Sequence, residues 1–451
     1  MKKTNLRYRH IARVVVEATT PIAVGSGMLT VMTDAPVVRD INGLPYIPAT
    51  SLTGVLRHSM ALGKLLDETN FFGYQDRNGG LGARIVFTDA VMIGKNGIAV
   101  DGIQTIDFLD NFYNKYLDLP VRNHVSIDYK GVHKDTGKFD NEVVYKGTRF
   151  VFEVELCSDK ENDADFEMLL TRLYQNSIRV GGGSRKGYGR LTVVSCKRAS
   201  LDLMKAKDLS AYIEKSSRLD SFWEYFVDWT PDMAIVEDKE WTTYLLKLTP
   251  RDFFLFGAGH GDEEADNISA QELVVEWHDG KPAFSVQRTL VPASSLKGAL
   301  AHRTAYNYNK QNNLFVGNDN AKTLCKNPAV AAIFGYSDDD VQTRGKCGNI
   351  IFDDILDATV REKLFSHIKS DSFTGGTIDG ALFQEKSIYG QNLVLEEEIL
   401  VRKDVLADET IKKAFEQSLK NLCCGLLPIG GCVGRGNGFF TGEIFKDGGK
   451  L

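Results

Sequence analysis

A chain of 451 residues with 43% hydrophobic and 25% charged residues has the balance of an ordinary globular protein and the length of two or three domains. No apolar run approaches the roughly 20 residues of a membrane-crossing helix, and the polar start MKKTNLRYRHIARVVVEATT lacks the apolar core of an export signal, so a cytoplasmic chain without membrane contact is expected. A formal net charge of −6 excludes a generally basic nucleic-acid coat but not a basic cleft, whose field is set by nearby charges.

RHIARVVVEATTP reads as a first strand, a β-branched run stopped by Thr-Thr-Pro. Gly25, Ser26 and Gly27 mark a turn, and Asn42-Gly43 marks a two-residue hairpin turn between APVVRD and LPYIP. After Pro48, SLTGVLRHSMALGKLLDE reads as a helix with Leu52, Val55, Leu56, Met60 and Leu65 on one stripe and Thr50 or Ser51 as N-cap. The polar stretch SIDYKGVHKDTGKFDNEVVYKG is expected to protrude as a β-hairpin. TRFVFEVELC alternates as a strand, DFEMLLTRLYQNSI follows as a helix, and a Gly-rich loop at 180–191 leads into the strand GRLTVVSCK.

Residues 198–240, with the segments LDLMKAKDLSAYIEKSS and LDSFWEYFVDW, are expected to form a helical linker. From Trp241 the plan starts again, with its helix capped at Ser294 or Ser295. IPATSLTGVLRH at 47–58 returns as VPASSLKGALAH at 291–302, and FFGY at 71–74 as IFGY at 333–336. IVFTDA at 85–90 returns as IIFDDI at 350–355, and DTGKFDNEVVYKG at 135–147 as TIDGALFQEKSIYG at 377–390. VGGGSRKGYGRL at 180–191 returns as IGGCVGRGNGFF at 429–440. Five segments in one order make a tandem duplication, with expected units at 1–197 and 241–451 around the 198–240 linker. The mixture of strands and helices in each copy predicts an α+β fold of two ferredoxin-like βαββαβ domains.

A helix opening on serines with free N–H groups is a seat for phosphate. Ser51 and Ser295 stand at that end, with Arg57 and Lys297 and the repeated His58 and His302 following. The Gly-rich loop gathers Arg179, Arg185, Lys186 and Arg190 around glycines that permit close backbone approach, and Tyr188 offers a ring for base stacking. Its second copy keeps Arg435. The loop is neither a P-loop nor a dinucleotide fingerprint, since no GK[ST] follows and no GxGxxG sits at a strand–helix turn. Tyr129, His133 and Phe139 are exposed by pattern on the protruding hairpin. Asp34, in MTDAPVV, is a loop carboxylate whose role the residues alone leave open. No Ser-His-Asp order and no HExxH occurs. Seven scattered cysteines without a CxxC predict free thiols and no structural zinc.

In wording and in order these motifs resemble the RAMP superfamily of CRISPR proteins. More narrowly they resemble the backbone subunit of type III, RNA-targeting effector complexes. TDAPVVRD at 33–40, IPATSLTGVLR at 47–57, FFG at 71–73, DYKGVHKDTGKFDNEVVYKGTRF at 128–150 and GGGSRKGYGR at 181–190 carry the likeness, which leaves out 198–240. The resemblance implies modified RRM-like (RAMP) domains that cradle a crRNA guide and a thumb hairpin that kinks the guide–target duplex. It also implies an acidic loop residue that cuts single-stranded target RNA with Mg²⁺ or another divalent metal. Asp34 matches that residue and would hold the metal. In copy two the match is Asp266, counted from Gly257 and Gly259, or Gln271, counted back from Val274 and Val275. The tandem form is similar to the fused backbone subunits of the type III-D group, whose partners are neighbouring backbone and large effector subunits. Two other functions stay open: a non-cleaving RNA-binding scaffold or cap subunit, and a guide-processing endoribonuclease of the same superfamily with a histidine-centred, metal-independent site.

Overall fold

The structure is a computed structural model that describes residues 6–451 apart from 29–32, 63–67, 78, 128–132, 233–235, 237, 315–323, 337–344, 358–360 and 391. The first copy is built from β1 (Tyr8–Ala18), α1 (Ala49–Leu62), β2 (Ile85–Phe87), β3 (Val121–Ile127), β4 (His133–Glu142), β5 (Arg149–Ser158), α2 (Ala164–Arg172) and β6 (Leu191–Asp202). Its sheet runs β6-β1-β5-β2, all antiparallel. That order is the ferredoxin-like βαββαβ arrangement, with β3 and β4 paired as a separate hairpin between β2 and β5. The valine run explains the centre of the sheet: alternate residues Val14 and Val16 turn to one face and pack with Leu52, Leu56 and Met60 of α1 and Phe166, Leu169 and Leu170 of α2.

The second copy repeats the plan with β7 (Trp241–Pro250), α4 (Ala293–Gln311) after α3 (Ala206–Glu214) of the connecting segment, then β8 (Ile350–Ile351), β9 (Arg361–His367), β10 (Phe383–Tyr389), β11 (Leu395–Arg402), α5 (Glu409–Cys423) and β12 (Phe440–Lys446). Its sheet runs β12-β7-β11-β8, the same order. Tyr244, Leu246 and Leu248 meet Leu296 and Leu300 of α4 and Phe415, Leu419 and Leu422 of α5 in a second core. Among the described residues no helix is long and apolar enough to cross a membrane.

Two expectations are corrected. The connecting segment is not a pair of helices. β6 runs through to Asp202, α3 follows it, and LDSFWEYFVDW forms turns and a short strand, Val227–Asp228, on the edge of the first sheet. Its aromatic rings lie against cations instead of forming a helical stripe, with Arg13 over Phe226 at 5.0 Å and Lys215 over Trp223 at 5.6 Å. Nor do the serines cap the repeated helices. Ala49 N–H donates to Asp89 Oδ1 at 2.7 Å and Ala293 N–H donates to Asp354 Oδ1 at 2.7 Å. The cap therefore arrives from the TDA and DDI segments far along the chain, and a carboxylate already occupies the end expected to receive phosphate.

The two copies are welded through buried groups. A hairpin at 275–284 of copy two folds onto copy one: Val275 N–H donates to the Lys146 carbonyl at 2.8 Å, Trp277 Nε1–H to the Gly147 carbonyl at 2.8 Å, and the Phe284 ring lies 4.9 Å from that of Tyr145. Gly147 has φ +87°, and a Cβ there would stand 1.8 Å from the Val275 carbonyl oxygen, so glycine is required. Beside the hairpin, Arg122 of β3 donates to both oxygens of Glu272 and, at 2.8 Å, to Asp354 Oδ2. Arg179 and Arg190 converge on Asp353 at 2.7 and 2.6 Å.

Candidate nucleic-acid interface

The Gly-rich loop divides into two parts. Its ends belong to the weld. Arg179 and Arg190 are committed to Asp353, Gly187 packs where a Cβ would meet Asp354 Oδ1 at 2.4 Å, and the Tyr188 ring is buried beneath Arg122, whose guanidinium lies 5.6 Å away. Arg179 and Tyr188 are thus interior to the protein, and the expectation that they meet phosphate and base is corrected: an inward-facing acidic pair on copy two draws the arginines away from solvent. The tip of the loop is different. Lys186 is exposed, Arg185 lies 5.3 Å over the Trp241 ring, and neither forms an ion pair among the described residues. Lys297, on α4 of the other copy, completes the group. Burial first and then Lys186 push its ammonium down to about 8, with Cys347 opposing and Arg185 adding to the effect.

Arg185 also borders a cleft of about 320 Å³ between the copies, lined by His58 of α1, Ser184, Trp241 and Cys347. Asp238 and Glu240 line the same cleft, and Ser177 Oγ donates to Asp238. Three cations without carboxylate partners at a seam, next to an exposed imidazole, make a strip able to neutralise the phosphates of a single strand. Ser51, half-buried, sits two turns before His58 on α1, and Ser295 holds the equivalent place on α4. Arg57 and His302 have partners within the fold.

A hairpin carrying a histidine opposite a phenylalanine stands in both copies. His124 on β3 stands opposite Phe139 on β4, the rings stacked at 4.9 Å, and Lys186 Nζ lies 4.7 Å from the centre of the Phe139 ring. In copy two His367 stands opposite Phe383, stacked at 4.9 Å, with Arg435 at 4.6 Å over the ring. A loop cation, a phenyl ring and an imidazole thus form the same sandwich twice, and each joins the Gly-rich loop to the hairpin. Burial, then Lys186, hold His124 below the usual histidine range, which keeps it neutral beneath the ring. Arg435 is also paired with Glu385, a residue buried to 2% exposure, so copy two offers phosphate less charge here than Lys186 does. Of the hairpin residues expected at the surface, Phe139 is 39% exposed but stacked, Tyr129 lies outside the described residues, and of His133 only its place in β4 is described.

Asp34 is exposed and lines an open cleft of about 290 Å³ with Gly25, Gly27 and Pro36. Its N–H donates to Asp140 Oδ1 at 2.8 Å, and its own Oδ2 accepts from Asp140 N–H at 3.1 Å. Asp266 is exposed too, and its Oδ2 accepts from Gln384 N–H at 2.8 Å. Asp140 follows Phe139 and Gln384 follows Phe383, so Asp266 and Asp34 occupy equivalent places. Gln271 instead lies in a short strand paired with 288–289 and bonded to Glu362. Among the described residues no group of three or more histidine, cysteine or acidic side chains gathers to hold a metal.

The sequence reading missed His124, His367, Asp140, Arg122 and the acidic pair Asp353–Asp354. A signal existed for the first two: His124 and His367 precede their phenylalanines by 15 and 16 residues. Arg122 had none, because its partners are over 140 residues away and its equivalent in copy two is Phe365.

No curated protein matches the chain. The family model of the RAMP superfamily matches it twice, over residues 15–192 and 285–441, one match in each copy. With most of its length covered by two such matches in tandem, the chain belongs to the RAMP superfamily, as a protein with two copies of the domain.

Proposed function

We propose that this RAMP protein is the tandem backbone subunit of a type III CRISPR effector complex, of the III-D kind. In this reading it holds crRNA along the seam and cuts guide-paired target RNA through Asp34. Membership in the superfamily supports RNA binding in a CRISPR complex. The observation that carries the finer reading is the position of Asp34: an exposed carboxylate on an open cleft, tied to the base of the hairpin that would kink the duplex.

The chemistry follows from that position. A kinked strand brings a ribose 2′-hydroxyl into line with its own phosphate, and such alignment removes much of the barrier. Asp34 keeps one carboxylate oxygen on the Asp140 N–H, which leaves the other for a ligand at the cleft that Asp34 lines. A divalent metal held there would stabilise the charge that develops on the leaving oxygen. Lys186, Arg185 and Lys297 bind and orient the strand by its phosphates. Asp266 holds the equivalent place with one of the two contacts, its Oδ2 accepting from the Gln384 N–H, so a second cut per chain is expected there.

The test is target-RNA cleavage by the reconstituted complex with Mg²⁺ or EDTA, comparing wild type, Asp34→Ala and Asp266→Ala. Each substitution should remove one cut and leave guide and target affinity unchanged. Survival of every cut in both variants would leave a scaffold in place of a nuclease. Cleavage that persists in EDTA would favour a metal-independent, histidine-centred enzyme.

A further inference from the structure

Asp34 sits on a loop, and the loop is laced to the hairpin strand β4. The Asp34 and Asp140 residues clasp each other, each giving one main-chain N–H and one carboxylate oxygen, at 2.8 and 3.1 Å. Two residues further on the lacing continues. Glu142 N–H donates to the Ala35 carbonyl at 3.1 Å, Glu142 Oε2 accepts from Val37 N–H at 2.7 Å, and Arg39 donates to Oε1 at 2.8 Å.

Copy two holds its loop differently. Gln384 N–H donates to Asp266 Oδ2 at 2.8 Å, but Asp266 N–H donates to the main-chain carbonyl of Gln384 at 3.0 Å. There the backbone of the loop needs no side chain. In copy one the same N–H is held by a carboxylate, and a single substitution deletes it.

We infer that Asp140 is a positioning residue for the cutting step: it fixes the backbone at Asp34 and so aims the Asp34 carboxylate into the cleft, in copy one alone. The inference rests on the reading of Asp34 as the cutting residue. Asp140 acts through Asp34 and needs no contact with RNA. Oδ2 of Asp34 is already given to the Asp140 N–H, so the direction of its other oxygen depends on where the loop stands. An error of about 1 Å in such a group costs on the order of 100-fold in rate.

The experiment uses the reconstituted complex with guide, and follows single-turnover cleavage at each cut together with target affinity. The variants are Asp34→Ala, Asp140→Ala and Asp140→Asn. Asparagine keeps the Oδ1 acceptor and loses the charge. Asp140→Ala should slow the Asp34-dependent cut roughly 10- to 100-fold, with target affinity and the Asp266-dependent cut unchanged. Asp140→Asn should cut at close to the wild-type rate. The unchanged second cut and affinity exclude misfolding as the cause. If Asp34→Ala leaves its cut intact, the reading of Asp34 fails. If Asp34→Ala removes the cut but Asp140→Ala cuts normally, the positioning role is wrong and the reading stands. Asp140→Asn as slow as Asp140→Ala would also overturn it, because the charge and not the acceptor would then matter.

Discussion

At the scale of single residues, Arg185, Lys186 and Lys297 stand near one another with no carboxylate ion-pair partner among the described residues, and burial first, then Lys186, lowers the Lys297 ammonium. A lysine that titrates near 8 when free is drawn back to its charged form by a phosphate, so RNA held there, as proposed, would take up a proton. The sign follows directly. Affinity for single-stranded RNA should fall as pH rises from 7 to 9, as the free protein loses a proton that the complex retains. Lys186, exposed as a residue but with its ammonium partly desolvated near the Phe139 ring, also titrates below the usual lysine range, while Arg185, though lowered by burial, stays charged in this pH range. Lys297→Met should weaken binding at pH 7 and flatten the dependence between pH 7 and 9, whereas Lys297→Arg should keep affinity and also flatten it. Binding isotherms at fixed ionic strength decide this, because salt alone shifts such affinities strongly. A pH dependence identical in Lys297→Met and wild type would remove Lys297 from the interface.

At the scale of elements, the sandwich of cation, phenylalanine and histidine is what ties each hairpin to its Gly-rich loop. An aromatic pair contributes about 0.5–1.5 kcal/mol beyond its burial, and an exposed cation over a ring about 0.5–1 kcal/mol. Phe139→Ala should therefore loosen the hairpin locally and leave global stability almost unchanged. Hydrogen exchange of amides in β3 and β4 should speed up by roughly the factor of ten that 1.4 kcal/mol represents, with the exchange of β1 and β5 unaffected. Equal protection of β3 and β4 in the variant would show that the backbone ladder, not the sandwich, holds the hairpin. The elements themselves were readable: alternating valines gave β1, the apolar stripe gave α1, and both Gly-rich loops lie before their last long strand. Which atoms meet was not readable. The helix caps Asp89 and Asp354 stand 40 and 61 residues from the amides they satisfy, and sequence spacing carries no trace of such a pairing. The same holds for Arg179, whose attraction to RNA was inferred from charge alone, while a buried carboxylate of the other copy claims it.

At the scale of the molecule, the weld turns two domains into one ruler. Asp34 and Asp266 are held at a set separation because copy one grips copy two through buried charges as well as through the 275–284 hairpin. Asp353 is the hub. Its side chain is 12% exposed, that of Arg179 is 3% exposed, and both Arg179 and Arg190 depend on it. Removing one partner of such a buried pair costs about 3–5 kcal/mol, since the remaining charge stays out of water without compensation. Arg190 has a second acid, Glu398, at 3.5 Å, but Arg179 has no other carboxylate among the described residues. Asp353→Ala should therefore lower the melting temperature by several degrees and speed proteolysis between the copies, whereas Glu443→Ala should do neither. Glu443 pairs with Lys450 on the surface, with side chains 52% and 65% exposed, and pairs of that kind contribute about 0–1 kcal/mol. In cleavage assays the same substitution should blur the spacing of the two cuts while each carboxylate remains in place. Wild-type melting and sharp spacing in Asp353→Ala would mean that the hairpin alone holds the copies together and that the charged hub is dispensable.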